Sequence, residues 1–269
     1  MVGVRSDEVQ PRIHRGVDAV QGDLHPFPTP RKVTELNRLN KIFGILNNLH
    51  DGLLMIVFVA AILISGYGIY DVWYVYCHAD DSRLTEFTAD SPASQLERLH
   101  ISEGLVGWIS FKDTGINFPV MQGNSNLTFL NRDPYGNFSL SDSIFLDSRN
   151  SPEFTDGYSL IYGHHMEYGK MFGALDAFLD RSYASSHRNG TLLIGRDGHR
   201  KSRLTVFAVM RSDAKELAAF DVENPGNARD YILSHAQIKL GEPSGNILAL
   251  STCDGEDDSM RIIIACSLD

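Results

Sequence analysis

The chain has 269 residues, of which 43% are hydrophobic and 22% are charged. This composition is typical of a folded protein and excludes wholly disordered, collagen-like and coiled-coil chains. The formal net charge of -10 argues against nucleic-acid binding, because an acidic surface repels phosphates. The three cysteines form no C-x-x-C pair, so neither a disulfide framework nor a structural zinc site is expected.

Residues 1–51 precede the most apolar stretch of the chain and are predicted to form a tail. The first 30 residues mix charges with four prolines and show no hydrophobic period, which is typical of disorder. Apolar residues then recur at helical spacing from Leu36 to Leu49. We therefore expect an amphipathic segment that lies along the inner membrane surface.

A membrane span is predicted over residues 52–74. Gly52 to Tyr70 is a run of 19 residues without a charge. As a helix it would be about 28 Å long, close to the thickness of a bilayer's hydrocarbon core. Tyrosines and a tryptophan cluster at its far end, as at a membrane interface. The run starts too far into the chain for a typical cleaved signal peptide.

The flanking charges predict the orientation of this span. Basic residues precede it, namely Arg31, Lys32, Arg38 and Lys41, whereas the following segment is mainly acidic. The positive-inside rule therefore places the N-terminus in the cytoplasm and the rest outside the cell membrane. We predict a polar stalk over 75–95 and one extracellular domain over 96–269.

The outer domain shows short apolar runs separated by glycine, asparagine, aspartate and proline. The predicted strands are 106–109, 118–120, 143–146, 158–162, 191–194, 204–209, 247–251 and 262–265. This spacing favours an antiparallel barrel or sandwich over βαβ repeats. Residues 95–100, 171–178 and 227–236 are predicted to be helical.

Three residue types in the second half of the domain suggest chemistry. Cys253 ends an apolar run, where a thiol would sit at the rim of a rigid strand, although a buried structural cysteine fits the same pattern. Arg261 follows one loop later and could stabilise an oxyanion. His164 and His165 follow another apolar run, and either could supply the acid that a thiol nucleophile needs. Adjacent histidines point to opposite sides of an extended chain, so they rarely chelate one metal ion.

These motifs together resemble the sortases, most closely class B. The resemblance rests on IYGHHMEYGKMFGAL, on LSTC with an arginine eight residues after its cysteine, and on FPVMQGNSNLTFLNRDPYGNFSLSDSIFLDSRN, and it covers about residues 96–268. It implies a mainly β fold, a closed sortase-type barrel with short peripheral helices, preceded by one transmembrane helix. The helical segment 227–236 is similar to the extra helix of class B enzymes. One departure is Ala249, where the family signature has threonine.

The resemblance also implies a reaction. Cys253 would be the nucleophile, His164 the acid and Arg261 the oxyanion ligand of a membrane-anchored cysteine transpeptidase that uses no cofactor or metal. It would cleave the C-terminal sorting signal of a secreted protein and transfer that protein to an amine of a peptidoglycan precursor. One alternative is a pilin-polymerising enzyme whose amine is a pilin lysine. Another is a catalytically inactive, membrane-tethered binding module.

Four further features have mainly structural interpretations. Strand alternation places Cys266 on the face opposite Arg261, away from the site. Cys77 is interpreted as an idle thiol at the membrane surface, with acylation or an intermolecular disulfide as alternatives. Asn126 fits a glycosylation sequon, which also occurs by chance. The acidic loop 254–258 lacks a calcium-loop order and is predicted to be solvated.

Overall fold

The structure is a computed structural model. It describes residues 30–78, 84, 86–88, 91, 93–253 and 259–269. The predicted disordered tail lies outside this part of the chain, apart from Pro30. The chain divides into two units, Met1–Ser65 and Gly66–Asp269, and the division falls within the first helix.

Helix α1 runs from Pro30 to His78. It begins at a proline, whose fixed φ suits the first turn and whose missing N–H is not needed there. Within it, Val33–Tyr74 is a candidate membrane span by length and composition, and its apolar side chains are exposed. The predicted amphipathic segment and the predicted span therefore belong to one continuous helix.

The domain that follows α1 is a closed β-barrel, as predicted. Its strands are β1 Leu105–Phe111, β2 Asn117–Met121, β3 Phe145–Leu146, β4 Tyr158–Tyr162, β5 Asn189–Ile194, β6 Arg200–Asp213, β7 Ile238–Lys239, β8 Asn246–Cys253 and β9 Met260–Leu268. Eight of them form a ring in the order β5-β1-β2-β3-β4-β8-β9-β6, which closes by pairing β6 with β5. The short β7, which the sequence pattern did not predict, pairs with β6 outside the ring.

The barrel is antiparallel, as expected, except at two strand pairs. Strands β2 and β3 are parallel, and so are β4 and β8. The chain between β4 and β8 includes three other strands and several helices, so β4 meets a partner about 90 residues away. Local hydrophobic alternation is the same in parallel and antiparallel strands and does not reveal such a pairing.

The core forms where alternate residues of the strands face inward. The largest buried cluster takes residues from all eight ring strands, and its members include Ile109, Val120, Leu146, Ile161, Leu192, Val206, Leu248 and Ile264. A second cluster lies on the outer face of β4, β6, β8 and β9 and includes Leu160, Phe207 and Ile263. Strand alternation explains the division, since neighbours such as Ile263 and Ile264 belong to different clusters.

Short helices surround the barrel. They are α2 Ala93–Arg98, α3 Arg181–Ser186 and α4 Pro225–His235, with 3₁₀ segments at Glu167–Gly169, Phe172–Leu179 and Leu217–Phe220. Asn224 caps α4 by accepting a hydrogen bond from Asn227 N, and Pro225 follows it. The predicted helix over 171–178 is a 3₁₀ segment, and α3 was not predicted because six residues are too few for a clear period.

The segment predicted as a stalk contributes to the domain. Leu84 and Phe87 are buried, and the Phe87 ring lies 4.5 Å from the Trp108 ring in an edge-to-face contact. Asn117 links Phe87 to Trp108, because its side-chain amide donates to Phe87 O at 2.7 Å and accepts from the Trp108 indole at 2.8 Å. The folded domain therefore includes residues before the predicted boundary at 96.

Candidate active site

Three strand ends meet at one edge of the barrel. Because β4 and β8 are parallel, both end there, and antiparallel β9 begins there. Tyr162 pairs with Ser251, and the ladder continues as Gly163 N donates to Ser251 O at 3.0 Å. Across the other pair, Cys253 is the register partner of Arg261. The topology therefore brings the backbones of Cys253 and Arg261 together and places His164 just beyond the β4 strand that flanks them.

Strand alternation places Cys266 on the face of β9 opposite that of Arg261. Cys266 belongs to the cluster inside the barrel and is fully buried, whereas Ile263, which has the same parity as Arg261, lies in the outer cluster. Burial raises the pKa of the Cys266 thiol, which keeps it protonated. The prediction that Cys266 lies on the opposite face is confirmed.

His164 has an acidic neighbour that the sequence analysis missed. Its Nδ1 lies 3.7 Å from Oδ2 of Asp142, with the histidine side chain 43% exposed and the aspartate side chain 15% exposed. Burial lowers the pKa of His164, and His165 acts in the same direction. Burial also raises the pKa of Asp142 to about 6. An ion pair would shift both pKa values the other way, so desolvation outweighs attraction at this distance. The only sequence signal for Asp142 is a charged residue just before a buried strand.

His165 faces a different carboxylate, that of Asp176. Its side chain is 12% exposed, and its Nε2 lies 2.9 Å from Oδ2 of Asp176, while its backbone forms a bridge with Met171. The two histidines thus contact different carboxylates on different elements. Among the described residues, no group of three histidine, cysteine, aspartate or glutamate side chains is arranged to hold a metal ion.

Close packing fixes the loop that follows His164. Phe172 N donates to His164 O at 3.0 Å, which folds the loop back on itself. A Cβ at Gly173 would lie 1.9 Å from Met166 O, and one at Gly163 would lie 2.4 Å from the Phe172 ring. Both glycines are therefore required by close approach, and they set the path of the backbone on either side of His164.

A buried carboxylate supports the strand that leads to His164. Asp147 is fully buried and accepts hydrogen bonds from the Arg149 guanidinium at 2.9 Å, the Asn126 amide at 3.0 Å and the Tyr162 hydroxyl at 3.0 Å. Burial alone would raise the pKa of Asp147, but the hydrogen bonds from Arg149 and Asn126 outweigh it and lower that pKa. This network was not predicted, because Asn126 and Tyr162 are 21 and 15 residues from Asp147 in the sequence.

The same network bears on the glycosylation sequon at Asn126. The Asn126 side chain donates to Asp147 and accepts from Ser148 N at 2.7 Å. Both ends of the amide are used inside the fold, so the structural interpretation of this asparagine is favoured.

Arg261 is half-buried and donates from Nη1 to Met260 O at 2.9 Å. The acidic loop 254–258, predicted to be solvated, lies outside the described residues. The structure thus brings the three predicted residues to one barrel edge by backbone register.

Comparison with known proteins agrees with this architecture. The family model of the sortase domain matches residues 109–269. The chain belongs to the sortase family. Sortase B of Staphylococcus aureus is 27% identical over 184 residues, which are 65% of this chain and 74% of that protein.

Solved structures give the same result. A Streptococcus pyogenes class B sortase involved in pilus biogenesis is 30% identical with a TM-score of 0.59, over 64% of this chain and 96% of the other. A complex of S. aureus sortase B with its substrate is 26% identical with a TM-score of 0.56, over 67% of this chain and 87% of that one. The resemblance to class B and the sortase-type barrel are both confirmed, and the family identifies the chain as a cysteine transpeptidase that acts on sorting signals.

Proposed function

We propose that this sortase cleaves the C-terminal sorting signal of a secreted protein with Cys253 and transfers the protein to an amine of a peptidoglycan precursor. The proposal is supported by the register at the barrel edge, where Cys253 pairs with Arg261 and where β4, the parallel neighbour of β8, ends two residues before His164. A nucleophile, an acid and a fixed cation are the three groups that such an acyl transfer needs.

The proposed reaction has two halves. The Cys253 sulfur attacks the scissile carbonyl, while Arg261 and backbone N–H groups stabilise the oxyanion, and the C–N bond breaks as a thioester forms. A lowered pKa keeps His164 largely neutral at neutral pH, so its imidazole accepts the thiol proton and passes it to the leaving amine. An incoming amine then attacks the thioester, forms a new amide and releases the thiol.

The test uses the full chain in detergent micelles. It would be incubated with fluorogenic sorting-signal peptides, with and without a primary amine, and the products would be identified by mass spectrometry. We expect an amine-linked product that is lost in Cys253→Ala and reduced at least about 100-fold in His164→Ala and Arg261→Ala. Cys266→Ala is the matched thiol control and should retain activity, because Cys266 lies inside the barrel.

Two results would contradict the proposal. Cleavage that persists in Cys253→Ala would exclude this nucleophile. Binding of sorting-signal peptides without cleavage, and without a thioester trapped by mass spectrometry, would favour the inactive binding module.

A pilin lysine is the second candidate for the amine. The observation that favours it is the S. pyogenes relative, which is described as involved in pilus biogenesis. Competition between a peptidoglycan-type amine and a lysine-bearing protein in the same assay distinguishes the two, because the preferred amine is the one recovered in the product.

We also propose that α1 anchors the enzyme in the cell membrane, with residues 1–51 in the cytoplasm, residues 52–74 in the bilayer and the catalytic domain outside. Exposed Cys77 follows the candidate span and is a natural probe. In a Cys253→Ala background, a membrane-impermeant thiol reagent added to intact cells should label Cys77. Labelling of Cys77 only after lysis would indicate the opposite orientation of the span.

A further inference from the structure

A bend at Leu140 and Ser141 leads into Asp142, just before β3. Its backbone is left-handed, with a φ of 59°, a conformation that aspartate and asparagine tolerate better than most residues. Flanking serines hold this bend: the Ser139 and Ser141 hydroxyls lie 2.9 Å apart, and the Ser143 hydroxyl donates to Arg132 O at 2.6 Å. The Asp142 side chain therefore projects from a fixed base rather than from a loose loop.

The carboxylate of Asp142 lowers the stability of the folded protein when it is ionised, because it is poorly solvated. It is 15% exposed, and no described residue donates a hydrogen bond to it. Buried carboxylates normally accept hydrogen bonds, and one without them is destabilising. Among the described residues, the basic group within ion-pair distance of it is the His164 imidazole, with Nδ1 at 3.7 Å. A poorly solvated carboxylate beside a functional histidine suggests a role in the reaction rather than in stability.

We propose that Asp142 is a positioning residue that holds the Nδ1 proton of His164 and so leaves Nε2 to exchange protons with the substrate. A neutral imidazole carries one proton, and a carboxylate beside Nδ1 favours the tautomer with that proton on Nδ1. When Nε2 takes up a proton, the ring becomes a cation, and the adjacent carboxylate of Asp142 stabilises it. The Nδ1–Oδ2 distance of 3.7 Å then shortens to a hydrogen bond, as catalytic contacts often do during turnover.

The adjacent pair provides an internal comparison. His165 already lies at hydrogen-bond distance from Asp176, at 2.9 Å, and Asp176 is 49% exposed at the 3₁₀ segment. That pair joins two parts of the loop, and its carboxylate retains contact with water. The two neighbouring histidines thus each face one carboxylate, of which only Asp142 lies at the proposed site. This inference rests on the proposed role of His164.

The test combines kinetics and spectroscopy on the full chain in detergent micelles. Asp142→Asn keeps the volume and suits the left-handed backbone but removes the charge, and Asp176→Asn is the matched control. The kcat and KM of amine transfer would be measured for both. Histidine-selective 15N spectra would report the tautomer of His164, with its signals assigned by their loss in His164→Gln.

We expect Asp142→Asn to lower kcat about 10- to 100-fold with KM within about twofold of the wild type. The His164 15N shifts should move away from the Nδ1–H tautomer. Asp176→Asn should leave kcat and the His164 signals within error of the wild type. If Asp142→Asn does not fold, Asp142→Gly serves instead, because glycine adopts a positive φ without strain.

Two results overturn the inference. One is an Asp142→Asn enzyme whose kcat is within about twofold of the wild type. The other is a loss of activity with unchanged His164 spectra, which would assign Asp142 some other role. If the wild type shows no transfer with any substrate, the proposed function fails, and the 15N comparison still decides whether Asp142 controls the His164 tautomer.

Discussion

Replacing Asp142 by asparagine should make the protein more stable at neutral pH. Burial raises the pKa of this carboxyl from 3.8 to about 6, so folding is penalised once the group is ionised. The sign follows from proton linkage. A raised carboxyl pKa contributes stability below pH 3.8, and that contribution is lost as the pH rises through about 6.

The size of the gain follows from the same two values. A tenfold change in a protonation equilibrium corresponds to about 1.4 kcal/mol, so the full penalty at pH 7.5 is about 3 kcal/mol. The asparagine amide also lacks partners at this site, and a 15% exposed side chain retains some contact with water. We therefore expect a gain of about 1–3 kcal/mol at pH 7.5 that disappears near pH 4.

Urea unfolding of the full chain in micelles, followed by tryptophan fluorescence, would measure this gain. Trp108 is fully buried in the domain, whereas Trp73 lies on α1, so a Trp73→Phe background isolates the domain signal. The denaturation midpoint of Asp142→Asn would be compared with that of the background protein at pH 4, 6 and 7.5.

Asp147→Asn is the contrasting variant. Its carboxyl pKa is lowered, so its contribution to stability is present above pH 3.8 and is lost as the pH falls through the lowered value. This variant should lose about 1–3 kcal/mol at pH 7.5, because Arg149, Asn126 and Tyr162 lose a charged, fully buried acceptor, while the exposed part of the Arg149 guanidinium stays in contact with water. Opposite signs for two aspartates five residues apart would reflect their different surroundings. A destabilised Asp142→Asn, or a gain that persists unchanged at pH 4, would refute the reasoning.

Three further predictions concern packing and thiol chemistry. Gly173→Ala should cost about 1–3 kcal/mol and reduce transfer activity, since its Cβ would meet Met166 O at 1.9 Å; unchanged thermal unfolding would contradict this. Tyr162→Phe should cost about 1 kcal/mol by removing one hydrogen bond to Asp147, measured by urea unfolding, and a cost above that of Asp147→Asn would be inconsistent with the network. Cys266 should resist thiol reagents in the folded protein and react after denaturation, as read by peptide mass spectrometry, and labelling as fast as that of Cys77 would argue against its burial.

The sequence predicted most of the fold because its signals are local. Strand β4 was predicted at its observed bounds, and α4 within two residues, since apolar runs and helical periods are set by neighbouring residues. The opposite faces of Arg261 and Cys266 followed from parity along one strand. The boundary of the domain was less clear, because Leu84 and Phe87 are isolated apolar residues in a polar segment, and only the folded structure shows that they pack in one buried cluster with Trp108.

By itself, the sequence determined the candidate span, the closed mainly β domain, the sortase resemblance and the three proposed catalytic residues. Each depends on composition, on short-range period or on a motif whose residues are contiguous. Only the tertiary structure decided that β4 pairs in parallel with β8, that Asp142 faces His164 and that Asp147 is enclosed by Arg149, Asn126 and Tyr162. Those features join segments distant along the chain, and the free energy of a buried charge depends on neighbours that only folding brings together.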